Sequence, residues 1–168
     1  GIDYCIAQGR VDQNRLGLAG WSYGGFMASW GITQTNRFKA AVVGAAITNW
    51  LSFHGTSNLA VWDQIANNAS PYERGALSAY EKFSPMSFVA NVKTPTLIVH
   101  GEIDPYVPVG QDYEYYRALK DLGVPVELVV YPRESHGFAE KNHQIDLNRR
   151  VVEWLVKYLV EDGRPRTK

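Results

Sequence analysis

The chain has 168 residues, of which 45% are hydrophobic and 20% charged, and its formal net charge is zero. These values are ordinary for one soluble globular domain with a sizeable core, and two full domains are not expected. A neutral chain without an apolar run of about 18 residues predicts no nucleic-acid partner and no membrane partner.

The first stretch, "GIDYCIAQGRV", is typical of the last turns of a helix rather than the start of a domain. The first residue is Gly1 rather than methionine, so the sequence looks like a fragment. The stretch also lacks the pattern of a signal peptide. Cys5 is the only cysteine, which excludes an internal disulfide and a cysteine-based zinc cluster. A cytoplasmic location is the expectation that fits best.

The next elements read as strand, tight turn, helix and strand. "RLGLAGW" (15–21) is a short apolar run between turn-forming residues, and 23–34 has helical spacing of its large apolar residues. The nearly continuous apolar run at 38–47 predicts a second strand, buried on both faces. An irregular aromatic stretch follows, with short helices predicted around 58–67 and 85–91.

The last third of the sequence repeats the alternation of strands and helices. Strands are predicted at 94–102 and 124–131, a helix at 109–123 that Gly123 ends, and a closing amphipathic helix at 142–161. Strands that alternate with helices predict an α/β fold, here a parallel sheet of about four strands with flanking helices.

Three polar side chains follow three of these strands. Ser22 comes after the first, Asp104 after the third and His136 after the fourth. The carboxyl ends of parallel strands meet along one edge, so these groups are expected to meet. A serine becomes a nucleophile when a base takes its proton and an acid orients that base. The chain order serine, acid, histidine is that of α/β-hydrolases, so we predict a catalytic triad.

The glycines around Ser22 fit the same interpretation. A strand that turns directly into a helix holds its serine in a strained conformation, so Gly20 and Gly24 are predicted to remove side chains that would collide there. Gly25 is predicted to let the helix start close to the sheet. The backbone amide of Tyr23, at the positive end of that helix, is the predicted oxyanion donor.

The other histidines and acidic residues are less favoured as members of the triad. We expect His100 to be a core or edge histidine and His143 to be solvated, while His54 is a candidate to face the site. Glu102, two residues before Asp104, is the rival acid. The histidines and acids lack the spacing of a metal site, and no phosphate loop or dinucleotide motif occurs, so no metal and no cofactor are predicted.

The motifs together resemble a known family. "GWSYGG", "HGEIDPYVP" and "SHGF", with the closing "RRVVEWLVKYL", are similar to the C-terminal part of the catalytic α/β-hydrolase domain of the prolyl oligopeptidase family of serine peptidases. The acylaminoacyl-peptidase and dipeptidyl-peptidase branches are the most similar. The resemblance covers most of the chain, is weakest at 54–80, and favours Asp104 over Glu102 as the acid.

The resemblance also implies a substrate pocket. In this family the side chain after the nucleophile and the aromatic segment after the next strand line the primary specificity site. The corresponding residues here are Tyr23, Ile47, Trp50, Phe53 and Val107. An apolar pocket of this kind suits proline or another hydrophobic residue. Ordinary core packing is the alternative for Trp50 and Phe53.

Members of the family have parts that this sequence lacks. We therefore interpret residues 1–168 as a partial catalytic domain. An N-terminal β-propeller limits the family's substrates to short peptides, and upstream strands supply the second oxyanion donor. Without those strands, 15–21 is a sheet edge through which the chain alone is predicted to dimerise. The expected function is a peptidase acting on short or acylated peptides. The alternatives are a carboxylesterase with the same triad and a non-catalytic fragment or assembly module.

Overall fold

A computed structural model describes residues 1–161, apart from the side chain of Ala60; residues 162–168 of the predicted domain lie outside them. Four parallel strands form one sheet in the order β1-β2-β3-β4. The strands are β1 (Leu16–Trp21), β2 (Phe38–Gly44), β3 (Thr96–Gly101) and β4 (Val126–Tyr131). The helices are α1 (Ile2–Ala7), α2 (Tyr23–Gln34), α3 (Trp50–Thr56), α4 (Ala60–Asn67), α5 (Leu77–Phe83), α6 (Gly110–Asp121) and α7 (Lys141–Leu159), with a 3₁₀ helix at Pro85–Asn91.

Both faces of the sheet are covered, which explains the continuous apolar runs of its inner strands. Along β2, Ala41 and Val43 face a core cluster that contains residues of α2 and α6. Ala40 and Val42 face the opposite cluster, where Trp154 of α7 packs. Successive side chains of a strand alternate between faces, so a strand between two helical layers must be apolar throughout. The predicted α/β architecture is confirmed.

The second strand is shorter than predicted. The apolar run continues to residue 47, but β2 ends at Gly44 because Ala45 takes a left-handed conformation with φ of 43°. The chain then leaves the sheet, and the side chain of Gln111 accepts the amides of Thr48 and Asn49. Residues 45–47 stay buried in this turn, so their hydrophobicity alone could not mark the end of the strand.

The aromatic stretch contains more helix than predicted. The predicted segments 58–67 and 85–91 correspond to α4 and the 3₁₀ helix, whereas α3 and α5 were not predicted. The side chain of Asn49 caps α3 by accepting the amides of Leu51 and Ser52. Both added helices have only seven residues, too few for a clear periodic pattern.

This topology determines where the functional groups lie. The turns after β1, β3 and β4 all leave the carboxyl edge of the sheet, and β1 is one of its two outer strands. Within residues 1–161, no helix combines the length and the hydrophobicity needed to cross a membrane.

Candidate active site

Ser22 occupies a strained turn between β1 and α2. Its backbone has φ of 59° and ψ of −122°, a combination that a side-chain-bearing residue rarely adopts. Two hydrogen bonds hold it there: the Ser22 amide donates to the Gly44 carbonyl at 2.9 Å, and the Ser22 carbonyl accepts the Phe26 amide at 2.9 Å. The predicted strained turn is confirmed.

Two of the three glycines have the predicted steric role. A Cβ atom on Gly20 would lie 2.0 Å from the Gly24 carbonyl oxygen, and one on Gly25 would lie 2.4 Å from the Gly44 carbonyl oxygen. The prediction for Gly24 is wrong, because a Cβ atom there would meet none of the described residues within 4 Å. Gly20 therefore allows the tight turn, and Gly25 allows α2 to approach β2.

This difference predicts unequal stabilities for two alanine variants. Gly20→Ala is expected to lower the free energy of unfolding by about 3 kcal/mol, because its neighbour is backbone that cannot move aside. Gly24→Ala, the matched control, is expected to change it by less than about 1 kcal/mol. Urea denaturation measures both, and equal losses would contradict the steric role of Gly20.

The structure brings the three predicted triad side chains together. His136 Nε2 lies 2.8 Å from Ser22 Oγ, and His136 Nδ1 lies 2.6 Å from Asp104 Oδ2. A carboxylate can only accept, so Nδ1 carries the proton and Nε2 is free to accept from the serine hydroxyl. In this arrangement Nε2 of His136 can take a proton from Ser22 Oγ.

The fold keeps Asp104 ionised. Burial alone would raise the pKa of this carboxyl group, but the nearby His100 ring and the hydrogen bonds from His136 and the Val107 amide outweigh burial and lower it. Oδ1 accepts the amides of Tyr106 and Val107 at 2.9 and 3.0 Å, which turns Oδ2 toward the imidazole. The carboxylate is thereby oriented and stays charged at neutral pH.

Three residues that the sequence did not single out position the histidine loop. Trp21 Nε1 donates to the His136 carbonyl at 2.9 Å. The Trp21 ring packs against Gly44, where an added Cβ atom would lie only 2.2 Å from the ring. A Cβ atom on Gly101 would lie 2.2 Å from the Ser135 carbonyl oxygen, so a glycine there lets the loop cross the end of β3.

A buried carboxylate secures the other side of the same loop. Glu134 accepts the amides of Ala139 and Glu140, and its Oε1 lies 2.8 Å from His143 Nδ1. The prediction that His143 is solvated is therefore wrong. Glu134, Glu140 and His143 each place a potential metal ligand within 4.8 Å of the others. The oxygens of Glu134 already hold the loop together, which is a structural use of this cluster.

The rival candidates lie elsewhere. Glu102 accepts the Arg133 amide at 3.2 Å rather than a bond from His136. His54 is buried against Asp63, with 2.9 Å between Nδ1 and Oδ2. His100 is a buried core histidine, as expected, with both ring nitrogens in hydrogen-bonding contact.

An aromatic pocket of about 470 Å³ lies beside the turn of Ser22. Of the predicted pocket residues, Tyr23 and Trp50 line it. Ile47, Phe53 and Val107 do not; they are buried in a core cluster together with Trp50. Non-local packing decides which apolar side chains reach a surface, so the linear motif could not separate these two groups.

The rest of the pocket wall comes from residues that were not predicted to line it. They are Phe26, Met27, Trp30, Trp62, Ala66, Asn67 and Phe83. Trp62, on α4, is stacked with Trp50 at a ring-centroid distance of 5.7 Å and meets Tyr23 edge-on at 6.0 Å. Its position in a predicted short helix after the second strand was the only sequence signal available.

Comparison with known proteins gives one consistent family. The sequence model of the prolyl oligopeptidase family matches residues 1–162. An uncharacterized peptidase of Bacillus subtilis, YuxL, is 40% identical over 160 residues, which cover 89% of this chain and 23% of that protein. The acylamino-acid-releasing enzyme of Arabidopsis thaliana is 31% identical over 165 residues, or 94% of this chain and 22% of that enzyme.

Solved structures agree with the sequence relatives. The acylaminoacyl peptidase of Pyrococcus horikoshii superposes with a TM-score of 0.84 at 28% identity, covering 94% of this chain and 26% of that one. The chain thus spans less than a quarter of the length of the curated relatives named here.

Proposed function

The chain belongs to the prolyl oligopeptidase family, and on that premise we propose that it carries the catalytic groups of a serine peptidase acting on short or N-acylated peptides. The main support is the continuous series of hydrogen bonds from Ser22 through His136 to Asp104 on one edge of the sheet. The acylamino-acid-releasing relatives favour an acylated peptide as one substrate class.

The proposed chemistry moves one proton at a time, first from Ser22 to Nε2 of His136. This nitrogen takes the Ser22 hydroxyl proton as Oγ forms a bond to the substrate carbonyl carbon. The proton then passes to the leaving amine as the C–N bond breaks, leaving an ester on Ser22. A water molecule attacks that ester, gives its proton to His136, and releases the acid; the proton returns to Oγ.

The helix that follows Ser22 supplies one group for the developing negative charge. Tyr23 is the first residue of α2, so its amide has no carbonyl partner within the helix. It lies at the positive end of the helix dipole and next to the nucleophile. We assign the oxyanion contact to this amide.

The aromatic pocket is assigned to the substrate side chain on the acyl side of the cleaved bond. Tyr23 directly follows the nucleophile and is itself part of the pocket wall, so a side chain next to the attacked carbonyl can enter there. Apart from Asn67, the wall is apolar and largely aromatic, and about 470 Å³ accommodates a large ring. We expect a preference for bulky hydrophobic residues over small or charged ones.

Trp62→Ala is expected to lower kcat/KM for a phenylalanyl arylamide about 30-fold, because it removes one aromatic wall. For an alanyl arylamide, whose methyl group does not reach that wall, the change should stay below about 3-fold. Val61→Ala is the matched control, since this neighbour on α4 is 72% exposed and does not line the pocket. Equal losses for both substrates would contradict the assignment of the pocket.

The proposed activity is tested with a fluorophosphonate probe on the complete polypeptide that carries this sequence. The probe needs an activated serine but little of the pocket, and mass spectrometry is expected to locate it on Ser22. A folded protein that takes no label would contradict the proposal and favour a non-catalytic role. Parallel assays with arylamide and aryl-ester substrates then separate the peptidase from a carboxylesterase, which would turn over the ester alone.

A further inference from the structure

A second histidine–aspartate pair, His100 and Asp112, lies next to Asp104 in the interior of the protein. His100, the next-to-last residue of β3, is fully buried, and its Nδ1 lies 2.7 Å from Oδ2 of Asp112 on α6. Its Nε2 lies 2.7 Å from the Val107 carbonyl oxygen. Asp112 is also fully buried. The steps proposed for catalysis above use neither side chain.

The contacts of His100 determine how many protons the pair holds. A carbonyl oxygen can only accept, so Nε2 must carry a proton. At Nδ1, a second proton must lie between the ring and the Asp112 carboxylate, because two bare acceptors would repel at 2.7 Å. Burial would lower the pKa of His100, but the two nearby carboxylates, of Asp104 and Asp112, outweigh burial and raise it to about 10. The pair therefore keeps this proton through neutral pH.

Asp112 has one cationic partner among the described residues. Its Oδ1 has no hydrogen-bond partner there, and the hydroxyl group of nearby Tyr115 also has none. Apart from His100, the groups that act on it are the Ala46 amide and the charge of Asp104. Burial raises the pKa of Asp112, and the hydrogen bond and the charge of His100 oppose that rise. His100 lies between this carboxylate and that of Asp104, and both favour the charged form of the imidazole.

This charged ring touches the triad acid in two ways. His100 Nε2 lies 3.5 Å from Asp104 Oδ2, the oxygen that faces His136. The Val107 residue links the two groups as well, because its carbonyl accepts from His100 while its amide donates to Asp104 Oδ1. Moving or discharging His100 would thus disturb both the field at Asp104 and the backbone that orients it.

We propose that His100 and Asp112 are a positioning pair for the triad: Asp112 keeps His100 as an imidazolium, which holds the Asp104 carboxylate toward His136. The inference rests on the serine peptidase function proposed above. Neither residue reaches the pocket or the nucleophile, so the pair affects the chemical step and leaves substrate binding unchanged. A core histidine that only fills space would affect stability alone.

The decisive variant is Asp112→Asn, which keeps the shape but removes the charge. An asparagine amide can donate to Nδ1, so His100 becomes a neutral ring with its proton on Nε2. We expect kcat for an arylamide to fall about 10-fold to 100-fold, with KM changing less than about 3-fold. An unchanged kcat per folded, titrated active site would overturn the proposal.

The pH profile provides a second readout with a defined direction. In the native protein the imidazolium offsets part of the Asp104 charge that faces His136. The His136 ring also contacts Ser22 Oγ and the ring of Tyr106, and Trp21 donates to the His136 backbone carbonyl. Without that offset, Asp104 holds the proton on His136 more strongly. The acid limb of kcat/KM in Asp112→Asn should therefore move to higher pH. An acid limb at the same pH in Asp112→Asn and the wild type would contradict an electrostatic effect of His100 on Asp104.

His100→Gln is the second variant, should Asp112→Asn not fold, and the same loss of kcat is expected. His54→Gln is the matched control: His54 is also buried against an aspartate, Asp63, but contacts no triad residue. It should become less stable while its rate of fluorophosphonate labelling stays unchanged. If His54→Gln lost as much labelling rate as His100→Gln, the effect of His100 would be explained by general destabilisation, and the proposal would fail.

Imidazole NMR separates this inference from the proposed function. In the wild type, both nitrogens of His100 should be protonated at pH 7, and in Asp112→Asn only Nε2. The resonance of the His136 Nδ1 proton should then shift, because Asp104 has moved or changed its field. If the wild type takes no fluorophosphonate label, the proposed function fails; if the His136 resonance is unchanged in Asp112→Asn, the positioning pair fails, whatever the activity.

Discussion

Replacing Ser22 with alanine is expected to lower kcat about 10⁶-fold, the loss found when the nucleophile of such a triad is removed. The substitution deletes only Oγ, whose hydrogen-bonding contact is with His136 Nε2 at 2.8 Å. The strained turn is held by backbone bonds and by the glycines around it, so the variant should fold like the wild type. Activity on an arylamide peptide and the urea midpoint measure the two effects separately.

The control for this variant is another serine of the same chain. Ser78 is exposed on α5, and its hydroxyl donates to the Gly75 carbonyl. Ser78→Ala should keep full activity and full labelling by the fluorophosphonate probe. Substantial activity in Ser22→Ala, or a probe that still labels this variant at another serine, would reject Ser22 as the nucleophile.

The turn of Ser22 could be predicted because its determinants are local in sequence. Gly20 and Gly25 lie within three residues of the serine, and the strand and helix on either side have clear apolar patterns. The case of Gly24 shows the limit of such local reasoning. Its place in the motif suggested a steric role, but the direction of its Cβ position leads into open space among the described residues.

The supports of the site were not predictable, because they depend on pairs far apart in sequence. Trp21 reaches the carbonyl of His136, and the room for its ring depends on Gly44 in the next strand. Likewise, nothing near Gly101 indicates that the loop before His136 will pass over it. Such contacts appear only when the strand order and register are known.

The pocket shows the same division between local pattern and tertiary packing. The resemblance named residues after the second strand, and of these Trp50 reaches the pocket whereas Phe53, one helical turn later, points into the core. Trp62 completes the wall from α4, and its location depends on how α4 packs against α3. Sequence alone identified the region and its apolar character but not the individual lining residues.

Asp104→Asn is expected to lower kcat about 10⁴-fold, because the imidazole is forced into the wrong tautomer. Two backbone amides, of Tyr106 and Val107, donate to Oδ1. They fix the carbonyl oxygen of the new asparagine at that position, so its NH₂ group must face His136. Nδ1 then becomes an acceptor and Nε2 carries the proton, so it cannot accept the Ser22 proton.

Glu102→Gln is the matched control, since it makes the same chemical change two residues earlier in the same loop. Glu102 accepts the Arg133 amide and contacts no triad residue, so kcat should change less than about 2-fold. Both variants are measured for arylamide turnover and labelling rate, and imidazole NMR reports the tautomer of His136. A large loss of kcat in Glu102→Gln with little loss in Asp104→Asn would assign the role of the acid to Glu102. A loss of kcat in Asp104→Asn with Nδ1 of His136 still protonated would contradict the tautomer explanation.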